Sequence, residues 1–323
     1  MRDRISSSKK FAVFNERNLI LIFAVLVVFL TVTTKGKFLS FGNITNLLRQ
    51  TSINGVVALA MLFVIITGGI DLSVGAIVGL SGMVFAMFTS NRLDYQLPSF
   101  QAILIAILVS VLFGLANGFA VYDMKIPPFI ATLGVMTFVR GLVMYISGGR
   151  MITGIPRKFI NFASEVVLDI PALVWLWLGI ALASGLVLKY TRFGRNLYAI
   201  GSNREAARLS GVNLRLNYLL AYAVSGFLSG VAGLMLASRL AAGVPTAGQG
   251  YELDAIASVV IGGASLSGGS GTALGTVIGA VLIQTLRNGG NLLGIDPFVM
   301  QMMIGLIIIG AVFFDQYVKA RRG

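Results

Sequence analysis

Ten stretches of this 323-residue chain are apolar over fifteen residues or more: 19–34, 53–67, 72–89, 101–121, 129–147, 171–188, 218–238, 252–266, 271–286 and 298–314. A bilayer core about 30 Å thick takes ~20 apolar residues per helix, and fewer when the ends reach the interface. Backbone amides in that core must be satisfied internally, and no strand periodicity is present, so the runs are expected to be helical. The chain reads as an all-α polytopic membrane protein of about ten transmembrane helices. The runs at 53–67 and 252–266 are short for a full crossing and are expected to be broken or re-entrant. The first run follows a basic tail, as a signal peptide would. It ends in Thr33-Thr34-Lys35-Gly36-Lys37 with no small-residue cleavage pattern, so it reads as an uncleaved first helix.

Lys and Arg set the orientation. With the N-terminus cytoplasmic and ten crossings, fifteen of the 25 cations fall on the inside, nine on the outside, and Arg140 lies within a span. The inside excess sits in the two tails and the 189–217 loop, which places both termini in the cytoplasm. Lys35 and Lys37 stand against this bias. The expected organisation is a basic tail over 1–18, a single transmembrane domain over 19–316 with a cytoplasmic loop at 189–217, and a short tail over 317–323. The formal charge of +13 is an orientation signal in this setting and implies no nucleic-acid partner.

Catalysis is poorly supplied. The chain has no His and no Cys, which removes zinc sites, disulfides, imidazole bases and thiol nucleophiles. Its only Gly-Lys pair, Gly36-Lys37, lacks the upstream glycine of a phosphate-binding loop. Gly114 and Gly118 fall inside an apolar run and extend to no dinucleotide fingerprint. No catalytic residue, metal ligand or cofactor is assigned. Asp71 and Arg140 are the ionisable candidates within a span or at a break, with Glu252 and Asp254 at the outer edge of a span; these are too few for a proton relay, although sodium coupling through broken-helix carbonyls stays open.

Four segments stand out. In Thr67-Gly68-Gly69-Ile70-Asp71-Leu72-Ser73-Val74-Gly75, glycines interrupt helix propagation between two apolar runs. This reads either as a break lining or bracing a transport path, or as a tight turn in which Asp71 caps the next helix. In the 192–213 loop, Ser202-Asn203-Arg204-Glu205 has the form of a capping box, and Gly211 is placed to end the helix it starts. Ala206, Ala207 and Ser210 give that helix a small-residue face suited to docking a cytoplasmic partner. The alternative is a solvated loop helix. In Pro245–Ala257, on the outer side, Tyr251, Glu252 and Asp254 can meet a polar ligand or partner, or can simply lead into a capped helix. The fourth segment, Gly262–Gly271, aligns with Gly68–Gly75 at an offset of 194 and shares Gly-Gly, Leu-Ser and Gly. The match covers five positions and stops upstream, as chance or shared turn chemistry would give.

These segments carry a resemblance. Gly68–Gly75, the run from Arg192-Phe193-Gly194-Arg195 through Glu205-Ala206-Ala207 to Gly211, and Tyr251–Ala257 with its Gly-rich continuation are similar to the permease subunits of bacterial monosaccharide (ribose-type) ABC importers, inner-membrane components of binding-protein-dependent systems. The likeness runs in order from about residue 38 to 315. It implies a permease homodimer, or a pair with a related second permease, in the lipid of the inner membrane. It also implies a cytoplasmic ATP-binding subunit that carries ATP and Mg, and a periplasmic sugar-binding protein. Arg195, Glu205, Ala206, Ala207 and Gly211 then fall in the ATPase-coupling loop. The family's Ile-x-Leu-Pro continuation is replaced here by Ala221-Tyr222-Ala223-Val224. Gly68, Gly69, Asp71, Ser73, Gly75, Gly262, Gly263 and Ser267 are expected at helix breaks or the path, and Tyr251, Glu252 and Asp254 at the outer face. The implied cargo is ribose or a similar pentose or hexose. Other solutes for such a permease (an amino acid, a nucleoside, an autoinducer sugar) and an ion-coupled sugar carrier remain as alternatives.

Overall fold

The computed structural model describes residues 16–93 and 96–320. Six of the tail cations, Arg2, Arg4, Lys9, Lys10, Arg321 and Arg322, lie outside these. Among the described residues the chain is a helical bundle: α1 (Glu16–Thr33), α2 (Phe41–Ile66), α3 (Val74–Thr89), α4 (Ser99–Tyr122), α5 (Pro128–Ser147), α6 (Arg157–Ser164), α7 (Ala172–Tyr190), α8 (Arg192–Ser202), α9 (Arg204–Leu209), α10 (Leu214–Leu240), α11 (Tyr251–Ile261), α12 (Ala273–Leu292) and α13 (Pro297–Ala320). A one-turn helix at Lys37–Leu39 and a two-residue hairpin, Val166–Val167 with Ile170–Pro171, complete it. The hairpin is too short to carry a strand signal in the sequence.

Five helices, α2, α4, α5, α7 and α10, are long and apolar enough to cross a bilayer, and shorter apolar helices occupy Leu19–Thr33, Val74–Thr89 and Pro297–Gly310. Of the two runs expected to be broken or re-entrant, one comes out differently. The run at 53–67 is the buried end of a 26-residue helix, so α2 is full length. The run at 252–266 keeps only 11 helical residues. At 1.5 Å per residue these cover roughly 16 Å, about half a bilayer core.

Helix α2 is the axis of the bundle. From Gly55 to Ile66 its apolar character continues around the whole circumference, as a helix enclosed on all sides requires, and every residue there is buried. α10, α12, α11 and α7 surround it. α4 shows the opposite arrangement, a single buried stripe. Ala102, Ala106, Ser110, Gly114 and Gly118 recur every fourth residue on its inner face, whereas Phe100, Leu104, Leu108 and Leu112 are exposed. Without a hydrophobic drive between helices in lipid, close association depends on such small residues. The stripe lies against α10: a Cβ on Gly226 would overlap the Ser110 carbonyl, and one on Gly114 the Tyr222 carbonyl. α3 crosses α10 in the same manner, with Gly233 set against the Val78 carbonyl.

Candidate transport path and coupling elements

The first glycine-rich segment ends α2 and turns the chain into α3. Gly68 takes φ +80°, a left-handed conformation that suits glycine. Gly69 leaves room for a neighbour: a Cβ there would stand 2.8 Å from the Tyr222 hydroxyl. Asp71 is fully buried. Its Oδ1 accepts from the Ser73 amide (3.0 Å), the Ser73 hydroxyl (2.6 Å) and Asn117 Nδ2 (3.3 Å), and its Oδ2 accepts from the Ser225 hydroxyl (2.8 Å). Asn117 Nδ2 also donates to Ser73 Oγ at 2.7 Å. Asp71 therefore does more than meet an amide at the start of α3. It ties the break to α4 and α10. Asn117 and Ser225 were not legible as its partners, because each sits in an apolar run whose period says only which face is inward.

The second glycine-rich segment, after α11, folds onto the first. The Gly269 amide donates to the Ile66 carbonyl (2.9 Å), and a Cβ on Gly268 would come within 2.8 Å of the Gly68 nitrogen. Gly263, Gly268 and Gly269 all have positive φ. The carbonyl of Ser267 faces Gly68, and Gly262 packs backbone to backbone against Gly275 of α12. The internal similarity at offset 194 thus joins two segments that touch. A third element enters the same contact: a Cβ on Gly201 of α8 would overlap both the Ile66 carbonyl and the Gly269 amide.

Helices α8 and α9 occupy the loop in which one short helix was expected. Ser202 closes α8, and Asn203 rather than Ser202 caps α9, its Oδ1 accepting from the Ala206 amide at 2.9 Å. Glu205 does not reach back to the cap. It pairs with Arg208 one turn on, at 2.5 Å. The hydrogen bonds from Arg208 hold its carboxyl below the usual carboxylate range. Gly211 ends the helix with φ +82°, and the Val212 amide returns to the Ala207 carbonyl at 3.1 Å. Ala207 is buried, whereas Glu205, Ala206, Arg208 and Leu209 face outward. Leu209 is 74% exposed, an apolar side chain the small-residue reading passed over. Arg204 lies over the rings of Tyr122 and Tyr218, which anchors α9 to the ends of α4 and α10. Arg195 belongs to the first turn of α8 and donates to the Tyr190 carbonyl at 3.3 Å.

The segment from Pro245 to Ala257 packs along the bundle. After α10 the chain pairs once with Ile152 at Gly243 and then follows α3. Gly243 lies against Met83, Ala247 against Gly79, and Gly248 and Glu252 against Gly75. Arg140 Nη1 donates to the Ala247 carbonyl at 2.6 Å and holds this run of turns to α5. Tyr251 and Glu252 open α11 half-buried, and Asp254 is 2% exposed. Asp254 pairs with Arg287 of α12 at 2.7 Å and takes a long bond from Gln284 at 3.5 Å. Periodicity marks a polar segment as a loop but does not say that the loop folds inward. The glycines four residues apart on α3, Gly75 and Gly79, leave the groove for it.

Such an arrangement defines a polytopic helical membrane protein whose central segments are broken and joined to a pair of short helices at one end. The family described as "Branched-chain amino acid transport system / permease component" matches residues 43–312, and the chain belongs to it. The chain is 43% identical over 289 residues to the ribose import permease protein RbsC of Haemophilus influenzae, with 88% of each chain covered. It is 44% identical over 289 residues to that of Bacillus subtilis, covering 86% of each. To the D-allose transport system permease protein AlsC of Escherichia coli it is 36% identical over 298 residues, covering 92% of this chain and 90% of the other. No solved structure matches the chain.

Proposed function

We propose that this chain is the membrane-spanning permease of an ATP-driven ABC importer that carries a monosaccharide, ribose or a similar pentose or hexose, by alternating access. Near full-length identity to ribose and allose permeases supports the cargo class. The structural support is the position of α8, whose Gly201 is lodged against both glycine-rich breaks while the adjoining α9 presents Leu209 outward. A partner that moves α9 would move α8, and through it the ends of α2 and α11 together. A close-packed core responds to such a push by switching between discrete packings rather than by bending.

In this reading both termini and α8–α9 are cytoplasmic, the protein sits in the bacterial inner membrane as a dimer, and α11 with the turns before it behaves as a re-entrant element. ATP and Mg belong to the docked ATPase, and a periplasmic binding protein delivers the sugar. The breaks at Gly68–Gly75 and Gly262–Ser267 are the parts that repack. Neutral polyhydroxylated cargo needs hydroxyl and amide partners rather than ionised ones. Co-purification of the ATPase with a tagged permease tests the docking assignment. Glu205→Lys and Leu209→Asp should each abolish it with the permease itself intact, and full retention in both would refute it.

A further inference from the structure

A cleft of about 540 Å³ opens at the corner of α7, α8 and α12, with Leu182, Leu186, Lys189, Arg195, Tyr198 and Leu274 among its walls. Its chemistry is divided. Leu182, Leu186 and Leu274 are exposed apolar side chains on one flank, and Lys189 and Arg195 stand at the other, where α7 ends and α8 begins. The groove beside α1, lined by Ile20, Leu21, Ala24, Val25 and Val28, is wholly apolar and offers no such contrast.

Three cations at this end of the molecule have partners, while Lys125, Arg192, Lys189 and Arg195 form no ion pair among the described residues. Arg208 pairs with Glu205, Arg215 with Asp123, and Arg204 lies over two tyrosine rings. Lys189 and Arg195 have no carboxylate partner among the described residues; Lys189 sits over the Tyr190 ring and Arg195 donates to the Tyr190 carbonyl. Two uncompensated cations at the end of an apolar helix, above an open aliphatic wall, match a ligand with an anionic head and a hydrocarbon tail.

We infer that this cleft binds an anionic phospholipid, its phosphate between Lys189 and Arg195 and one acyl chain along Leu182, Leu186 and Leu274. The site touches the coupling apparatus directly. Tyr198, in its wall, donates to the Gly271 carbonyl at 2.7 Å, and Gly201 lies one turn further along α8. A bound lipid would brace α8 where it meets the second break. That consequence for transport rests on the proposed coupling role; the binding itself does not.

Native mass spectrometry of the full chain in detergent, with phosphatidylglycerol or phosphatidylcholine added, tests the site. The parent should retain one phosphatidylglycerol per chain in preference to phosphatidylcholine, and an equal concentration of inorganic phosphate should not displace it. K189Q/R195Q should weaken retention by about tenfold or more, since each surface cation contributes strongly to anionic-lipid attraction. L274W, which fills the apolar flank and leaves the charges in place, should weaken it as well. Equal retention of the two lipids, displacement by phosphate, or unchanged retention in both variants would overturn the proposal. Loss of lipid binding with unchanged ATP-coupled uptake would overturn only the bracing role.

Discussion

The amide of Gly269 donates to the carbonyl of Ile66 at 2.9 Å, joining the loop after α11 to the last turn of α2. These residues stand 203 positions apart, and Gly201 of α8 is packed onto the same pair. One backbone contact thus connects the ends of two core helices to the element proposed to receive the ATPase stroke.

Gly201→Val therefore tests the contact. A side chain there meets backbone on two sides, which cannot rotate away. Overpacking of this kind costs about 1–3 kcal/mol. The variant should unfold at lower denaturant and lose ATP-driven uptake, whereas Gly134→Ala, on α5 where a Cβ meets nothing within 4 Å, should do neither.

Asp71 should be intolerant of truncation. Asp71→Ala leaves Ser73, Asn117 and Ser225 donors without their acceptor inside the bundle, a loss of about 3 kcal/mol or more. Ser225→Ala removes one donor and should cost clearly less. Unfolding titrations of the two variants in the same detergent give the comparison, and equal losses would contradict the network.

At α9 the cap assignment separates neighbouring residues. Asn203→Ala should cost about 0.5–2 kcal/mol of local helix stability, seen as faster hydrogen exchange at the Ala206 amide; Ser202→Ala should leave that amide unchanged. The Glu205–Arg208 pair adds an acid dependence. A carboxyl whose folded pKa is lowered contributes its full stabilisation above its ordinary value and loses it as pH falls through the lowered one. Exchange in α9 should therefore hold steady from neutral pH down to about pH 5, and rise only in stronger acid.

Asp254 and Arg287 form a pair with the carboxylate buried and the guanidinium a quarter exposed. Asp254→Ala leaves the cation unmatched and is expected to cost about 3–5 kcal/mol. Asp254→Leu with Arg287→Met, which removes both charges, should recover much of that loss. If the losses of Asp254→Leu and Arg287→Met measured singly simply add in the double variant, an interaction between the two residues is contradicted.

The sequence makes the helices readable because apolar runs and lipid thickness leave few alternatives. It hides the first part of α2, where Asn43, Asn46, Arg49 and Gln50 read as loop. The helix continues because Thr51 and Ser52 return their hydroxyls to the Leu47 and Leu48 carbonyls, both at 2.7 Å, so that buried polar groups need no outside partner. At 202–203 two residues with equal capping chemistry are adjacent, and the length of α8 selects the second. The inward course of 243–250 depends on a groove made by glycines on another helix, which no local pattern encodes. The meeting of the two glycine-rich segments was present as a similarity but not as a contact, since pairing at such separation is a property of the whole bundle.

In the proposed mechanism ATP on a partner subunit, and no ion gradient, drives sugar uptake through this chain. Proteoliposomes containing the permease, its ATPase and its binding protein, supplied with radiolabelled ribose, measure this directly. Uptake should require ATP and the ATPase, stop with Gly201→Val or Glu205→Lys, and persist when sodium and proton gradients are collapsed. Uptake that continues without the ATPase and follows an imposed sodium or proton gradient would contradict it.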